Sequence, residues 1–187
     1  MLDVGGAAWA FDNIPPRGRS STRLDAEEAP AATIEPPQEI EGVGAIVDNA
    51  ETKIAWGKGL KDQNGKWEDY YGEQNPDAAR LPPGSKTFDF FKEESFEAIS
   101  NKTLNTQSLS YIRNPEEIYN KLVRYVDDAV NYEPYKASDL DPALIETKTI
   151  QLAIPEYTSP MQWRYLLRAI IYGKDNGVSI VITRIRE

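Results

Sequence analysis

Residues Val178 to Ile185 form a run that is apolar on both of its alternating faces, the pattern of a strand covered on two sides. Such a strand has to lie inside a sheet with other elements packed above and below it. Upstream, Ser159-Pro160-Met161-Gln162 carries a cap, a first-turn proline and a glutamine at the third position. This predicts a helix with Trp163, Leu166, Leu167, Ile170 and Ile171 inward, ended by Lys174 to Gly177. Thr147 to Ile154 reads as a strand closed by Pro155. Asn114-Pro115-Glu116-Glu117 opens another helix, with Ile118, Leu122, Tyr125, Ala129 and Tyr132 on its apolar face. Before it stand two strand-like runs, Lys86 to Phe91 and Glu97 to Thr103, with Lys92 to Ser95 as the turn. Earlier still, Val43, Ile46, Val47, Ala50 and Ile54 recur at helical spacing. A short helix is predicted around Trp67, Glu68, Tyr70 and Tyr71, between Asn64-Gly65 and Asn75-Pro76, and Leu81-Pro82-Pro83-Gly84 breaks the chain after it. The order helices, hairpin, helix, strand, helix, strand predicts an α/β fold with a mixed central sheet flanked by helices.

Residues 1–44 read differently. Five of the thirteen prolines fall within the first forty residues, and Arg17 to Glu39 has almost no large apolar side chains. Such a segment buries too little surface to offset its ordering entropy. It is expected to be a flexible, acidic, proline-rich linker, with a short apolar patch at Trp9, Phe11 and Ile14, and residues 45–187 are expected to form the domain. The formal net charge of −9 argues at first against a polyanionic partner, but residues 1–50 hold −6 of it and residues 101–187 are neutral. The 187-residue chain has no cysteine and no histidine. This removes disulfides, thiolate zinc sites, cysteine nucleophiles, Ser-His-Asp hydrolysis and histidine-paired ribonuclease chemistry. An enzyme built from this composition works with carboxylates, amines, guanidinium groups, hydroxyls and an oxygen-bound cation. No apolar run is long enough to span a bilayer, and no secretory signal is visible, so export would depend on something outside this chain.

Strand parity makes the hairpin informative. Ser100 and Lys102 point to the same face of their strand. With a four-residue turn and Phe91 facing Phe96, Asp89 falls opposite Ala98 on that face, while Phe88, Phe90 and Ile99 turn to the other side. A carboxylate and an ammonium then share one face on neighbouring strands.

This arrangement resembles the PD-(D/E)xK nuclease superfamily, in which an Asp on one hairpin strand and a (Glu/Asp/Ser/Thr/Gln)-x-Lys triplet on the next build the site with a Glu from a preceding helix. The matching positions are Asp89, Ser100-Asn101-Lys102 and Glu68. A closer resemblance covers about residues 45–187. The segments Leu81-Pro-Pro-Gly-Ser-Lys-Thr-Phe-Asp-Phe-Phe, Asn101-Lys-Thr-Leu-Asn105, the helix from Asn114-Pro to Tyr125-Val126, Leu152-Ala-Ile-Pro155 and Gln162-Trp163 to Ala169-Ile-Ile-Tyr-Gly173 are similar to C-terminal toxin domains of contact-dependent growth inhibition proteins. Those of Burkholderia are described as transfer-RNA nucleases, and others of the same fold cut DNA. The resemblance implies a toxin that cleaves transfer RNA, with Glu68, Asp89, Ser100 and Lys102 catalytic. It implies export as the end of a larger secreted protein, action in the target cytoplasm and a cognate immunity protein. Glu68 and Asp89 would hold a Mg²⁺ ion, with the Asn101 carbonyl as a third donor. Ser100 in place of a carboxylate removes one negative ligand, which leaves metal dependence open.

Thr103, Lys121, Arg164 and Arg168 are the candidate substrate contacts, and Arg184 and Arg186 share a face of the last strand. Each has a plainer reading as surface solubilisation or strand preference. Two other functions compete with the ribonuclease. One is a metal-dependent DNase on the same fold, and the other is a non-catalytic acidic binding module.

Overall fold

The computed structural model describes residues 43–136 and 139–187. The expected linker, apart from its last two residues, and the patch at Trp9, Phe11 and Ile14 lie outside them. The elements are β1 (Val43–Asp48), α1 (Asn49–Thr52), a π-helical turn (Lys61–Gly65), α2 (Lys66–Gln74), β2 (Ala79–Arg80), β3 (Phe90–Lys92), β4 (Glu97–Thr103), α3 (Leu109–Arg113), α4 (Glu116–Val130), a 3₁₀ turn (Pro142–Leu144), β5 (Thr147–Pro155), α5 (Pro160–Asp175) and β6 (Val178–Arg186).

They build one six-stranded mixed sheet in the order β1-β6-β5-β4-β3-β2. β1, β6, β5 and β4 run parallel, and β3 is antiparallel to β4 and β2. The twice-apolar run forms β6, inside the sheet between β1 and β5. The connections β4–α4–β5 and β5–α5–β6 step across the sheet in one direction. Successive crossovers of one hand must therefore pass over the same face. Accordingly Ile118, Leu122 and Val126 of α4 and Trp163 and Leu166 of α5 join Ile150, Leu152, Ile154, Ile180 and Ile182 of the strands in one core. The opposite face is left to α2, whose Trp67 and Tyr71, one helical turn apart, cover Ala153 and Ile185 and, separately, Phe90 and Ile99.

Most expected elements are present, and the departures have local causes. α5 carries the full reciprocal cap between Ser159 and Gln162. Its inward face is Trp163, Leu166, Ala169 and Gly173, while Ile171 is exposed. Asn114 does not accept a cap bond at α4; its side-chain amide instead donates to Glu117 Oε1 at 3.4 Å. The helical spacing from Val43 to Ile54 is overridden, since Val43–Asp48 pairs with β6 as an edge strand and only Asn49–Thr52 is helical. The two-residue strand β2 is too short to leave a periodic signal. In the hairpin the pairs are Lys92↔Glu97, Phe91↔Ala98 and Phe90↔Ile99. The turn is therefore Glu93–Phe96, one residue beyond the expected one, with Phe96 at φ 50°. Moving both turn ends by one residue shifts the register by two and preserves parity. Continued to Asp89, this register sets it level with Ser100 rather than Ala98. No helix among the described residues is long and apolar enough to cross a membrane.

Gly173 marks where α5 meets β6. A Cβ added there would lie 2.6 Å from the Val178 carbonyl oxygen. Gly173→Ala should gain about 0.5–1 kcal/mol of helix preference and lose roughly 2 kcal/mol or more to overpacking against main chain. A net drop in the urea midpoint is expected, and a rise would show the helix–strand approach to be looser than described.

Candidate active site

The β3–β4 ladder stops at Phe90, while β4 continues to Thr103. Beyond that point β4 still presents N–H groups toward the missing partner, and buried donors have to be satisfied. Asp89 does this with its side chain: Asn101 N–H donates to Asp89 Oδ2 at 2.7 Å. Its own main chain is held on both sides, with its N–H on the Ile99 carbonyl at 2.8 Å and its carbonyl accepting from Leu81 N–H at 2.9 Å.

The chain reaches Asp89 through a tight turn. Phe88 N–H returns to the Lys86 carbonyl at 2.8 Å, closing a three-residue γ-turn centred on Thr87 at φ 71°. A β-branched residue is strained in that region. Ser100, buried beneath it, donates its hydroxyl to the Thr87 carbonyl. Ser100 therefore acts on the loop that aims Asp89, and its hydroxyl is turned toward that loop. The turn also explains why Phe88 departs from the expected alternation: it packs edge-on against Tyr132 in the α4-side core, with ring centroids 4.9 Å apart, whereas Phe90 lies on the α2 side.

Lys102 Nζ donates to Asp89 Oδ2 at 3.2 Å and to the Asn101 carbonyl at 3.1 Å. An ammonium has three donors, so one remains. Glu68 stands in the first turn of α2 and is tied to the same strand. The Asn64 amide donates both to Glu68 Oε1 and to the Asn101 carbonyl, each at 3.0 Å. Arg80 donates to Glu68 Oε2 and to Asp69 Oδ1, each at 2.8 Å. Glu68, Asp89 and Lys102 thus share one hydrogen-bonded network centred on the main chain of Asn101. Burial, reinforced by the charge of Glu68, pushes the Asp89 carboxyl above its ordinary range, even though Lys102 and the Asn101 N–H pull it down. Asp89 lines a cleft of about 550 Å³ with Glu68, Arg80 and the loop Leu81 to Ser85. Lys102 lines an adjoining cleft of about 420 Å³ on the α4 side, with Lys86 and Tyr125, and the two side chains touch where the clefts meet.

The other candidates sit elsewhere. Arg168 stacks on Tyr119 at 4.5 Å and Tyr165 at 5.6 Å, Lys121 lies over Tyr125 at 4.9 Å, and Arg164 is exposed on α5. Thr103 is half-buried at the end of β4, and Arg186 pairs with Glu156 at 3.1 Å. Asn64 and Arg80 went unnoticed in the sequence. The Asn64-Gly65 pair reads as a helix boundary, yet it lies in a π-helical turn that runs on into α2. Irregular turns of that kind gather at functional sites, but the turn is visible only in the fold, so the sequence carries no signal for either residue.

The profile of the CDI toxin restriction endonuclease-like domain matches residues 63–183. Deoxyribonuclease CdiA-o11 of Escherichia coli O157:H7 (strain EC869) is 36% identical over 144 residues, covering 76% of this chain and 38% of that protein. Deoxyribonuclease CdiA of Yersinia pseudotuberculosis serotype O:3 (strain YPIII) is 33% identical over 144 residues, covering 76% of this chain and 13% of that protein. The chain therefore spans well under half the length of these relatives. Among solved structures, the CdiA-CT/CdiI toxin and immunity complex from Yersinia pseudotuberculosis is similar at a TM-score of 0.57 and 34% identity, over 63% of this chain and 97% of that one. These names overturn the transfer-RNA expectation, because both curated relatives are deoxyribonucleases. A carboxylate–lysine site serves either polymer, so the choice of RNA had rested on resemblance to the Burkholderia toxins alone. Six strands in this order, a helical acid beside the hairpin and the profile match over residues 63–183 together make the chain a member of the CDI toxin restriction endonuclease-like domain family.

Proposed function

We propose that this domain is the DNA-cleaving end of a larger contact-dependent growth inhibition protein, acting in a target cell and neutralised in the producer by a cognate immunity protein. The observation that carries the reading is the convergence of Glu68, Asp89 and Lys102 on Asn101 in a family whose relatives are named deoxyribonucleases. The solved relative bound to its immunity protein supports the partner.

The reaction adds water across a phosphodiester: a new P–O bond forms, the bond to the leaving sugar oxygen breaks, and that oxygen takes a proton. Negative charge grows on the phosphate oxygens. The spare donor of Lys102 is placed to meet it, in a partly buried site where such an interaction counts for more than in water. Asp89 fixes the ammonium, and Asn64 fixes the distance between α2 and β4. The donors open to a divalent cation such as Mg²⁺ are the two carboxylates, Glu68 and Asp89; the Asn101 carbonyl already accepts from Asn64 and Lys102. Among the described residues no group of three or more acidic side chains is placed to hold a metal, so an ion here would rest on two carboxylates and its own waters. Such an ion, when bound, would lower the pKa of a water and stabilise charge on a phosphate oxygen.

Plasmid DNA should be cut and total RNA left intact. EDTA should stop the cutting, and return of Mg²⁺, Mn²⁺ or Zn²⁺ should identify the cation. Lys102→Ala should lower the rate about 10²–10³-fold and relieve growth arrest on expression. Cleavage of RNA but not of plasmid, or full activity in Lys102→Ala, would refute the proposal.

The raised Asp89 carboxyl gives two linked expectations. In the window between the ordinary aspartate value of about 3.9 and its raised folded value, the folded state holds more protons than the unfolded state. Stability from this group therefore falls as pH rises through that window, and its charge is a cost at pH 7. Asp89→Asn keeps an acceptor for Asn101 N–H and should melt no lower than wild type at pH 7, with cleavage lost. A melting temperature several degrees lower would show that the charged carboxylate stabilises the fold.

A further inference from the structure

We infer that Arg80 grips the substrate backbone at a phosphodiester beside the one being cut; this rests on the nuclease reading above. The cleft leading to Asp89 is lined by two acids, Glu68 and Asp89, and among the described residues Arg80 is the only cationic side chain in its wall. A polyanion entering there meets these two acids, and the Arg80 guanidinium is the cation of the wall that offsets one of their charges. The residue is built for this. Its strand position opposite Phe90 lays the side chain over the Phe90 ring, with the guanidinium carbon 5.6 Å from the centroid. The direction of the guanidinium is thereby fixed while its side chain stays half-exposed, at 50%. Two of its five N–H donors are engaged, one each on Glu68 and Asp69, which leaves three. The planar fork matches phosphate oxygens in a way an ammonium cannot.

The ion pairs to Glu68 and Asp69 do not oppose the role. The pair with Asp69 is exposed on both sides and contributes little net stability, so exchanging that carboxylate for a phosphate is not strongly uphill, while the pair with the less exposed Glu68 keeps the guanidinium in place. They store the guanidinium at the cleft mouth in a defined orientation while it is empty. The second wall of the cleft, from Pro82 to Ser85, is stiffened by two prolines and by the Ser85 N–H and hydroxyl, both donating to the Pro82 carbonyl at 3.0 and 2.8 Å. A phosphate entering there therefore faces a rigid wall opposite a preset cation.

The test measures binding of a fluorescein-labelled DNA duplex by anisotropy across a salt series, in a Lys102→Ala background so that the probe stays intact. Arg80→Gln should weaken binding about tenfold, and the slope of log Kd against log salt should fall by about one, the signature of one lost phosphate contact. Arg80→Lys should keep the slope and lose part of the affinity, and both variants should be matched to the parent by thermal melting. If Arg80→Gln leaves Kd and slope unchanged, Arg80 serves only to orient Glu68 and the inference is wrong. The same holds if Arg80→Lys loses the slope as fully as a neutral residue does. If the wild-type protein in EDTA, as well as the Lys102→Ala parent, fails to bind the duplex, the nuclease reading falls, and this inference with it.

Discussion

One N–H group organises this protein. Where β3 leaves the sheet, the Asn101 amide would be a buried donor without a strand partner, and the Asp89 carboxylate occupies the position a main-chain carbonyl would have taken. Leaving such a donor unmet would cost about 1–3 kcal/mol, so the acid is held by the same bonding that holds the sheet together. Everything else at the site refers back to residue 101. Its carbonyl accepts from Lys102 and Asn64, and the Asn64 amide donates in turn to Glu68. Side chains from a helix, a loop and a strand are thereby fixed against one peptide unit.

The sheet order explains why the helical acid comes from α2. Both crossovers travel over the same face and bring α4 and α5 with them. The other face is closed by a short helix from the N-terminal side, anchored by Trp67, whose indole N–H donates to the Gln151 carbonyl at 2.9 Å. Glu68 is the next residue. Its side chain is therefore displaced by about 100° around the helix from a fully buried anchor, and it emerges at the helix margin, over the gap where β3 departs.

Parity carried most of what could be read in advance. Alternation along β4 and a four-residue turn bring Asp89 and Lys102 near each other, and the actual register, two residues away, has the same parity. Their head groups meet, with Asp89 lining the cleft beside Glu68 and Lys102 the one beside α4. The cap of α5 was equally legible, because Ser159 and Gln162 bond locally. What failed depended on distant contacts. Val43 to Asp48 became a strand because β6 offered it an edge. Phe88 reversed its side because Ser100, thirteen residues on, holds Thr87 in a left-handed conformation. Asn64 and Arg80 have no motif; their importance lies in what they touch. The choice between RNA and DNA was illegible for a chemical reason, since both present the same phosphodiester to the same groups.

The acidity of the chain is less of an obstacle to a polyanionic substrate than the figure of −9 suggests. Surface charges are screened beyond about 8 Å at physiological salt, and the excess lies in the first hundred residues, −6 in residues 1–50 and −3 in residues 51–100. What a phosphate meets in the Asp89 cleft is local: two carboxylates, each already engaged by a nitrogen donor, with Lys102 and Arg80 among the donors. Acids paired in this way repel an incoming anion less than bare ones. On the proposed reading, discrimination would therefore rest on short-range geometry, which is set by the fixed peptide at residue 101.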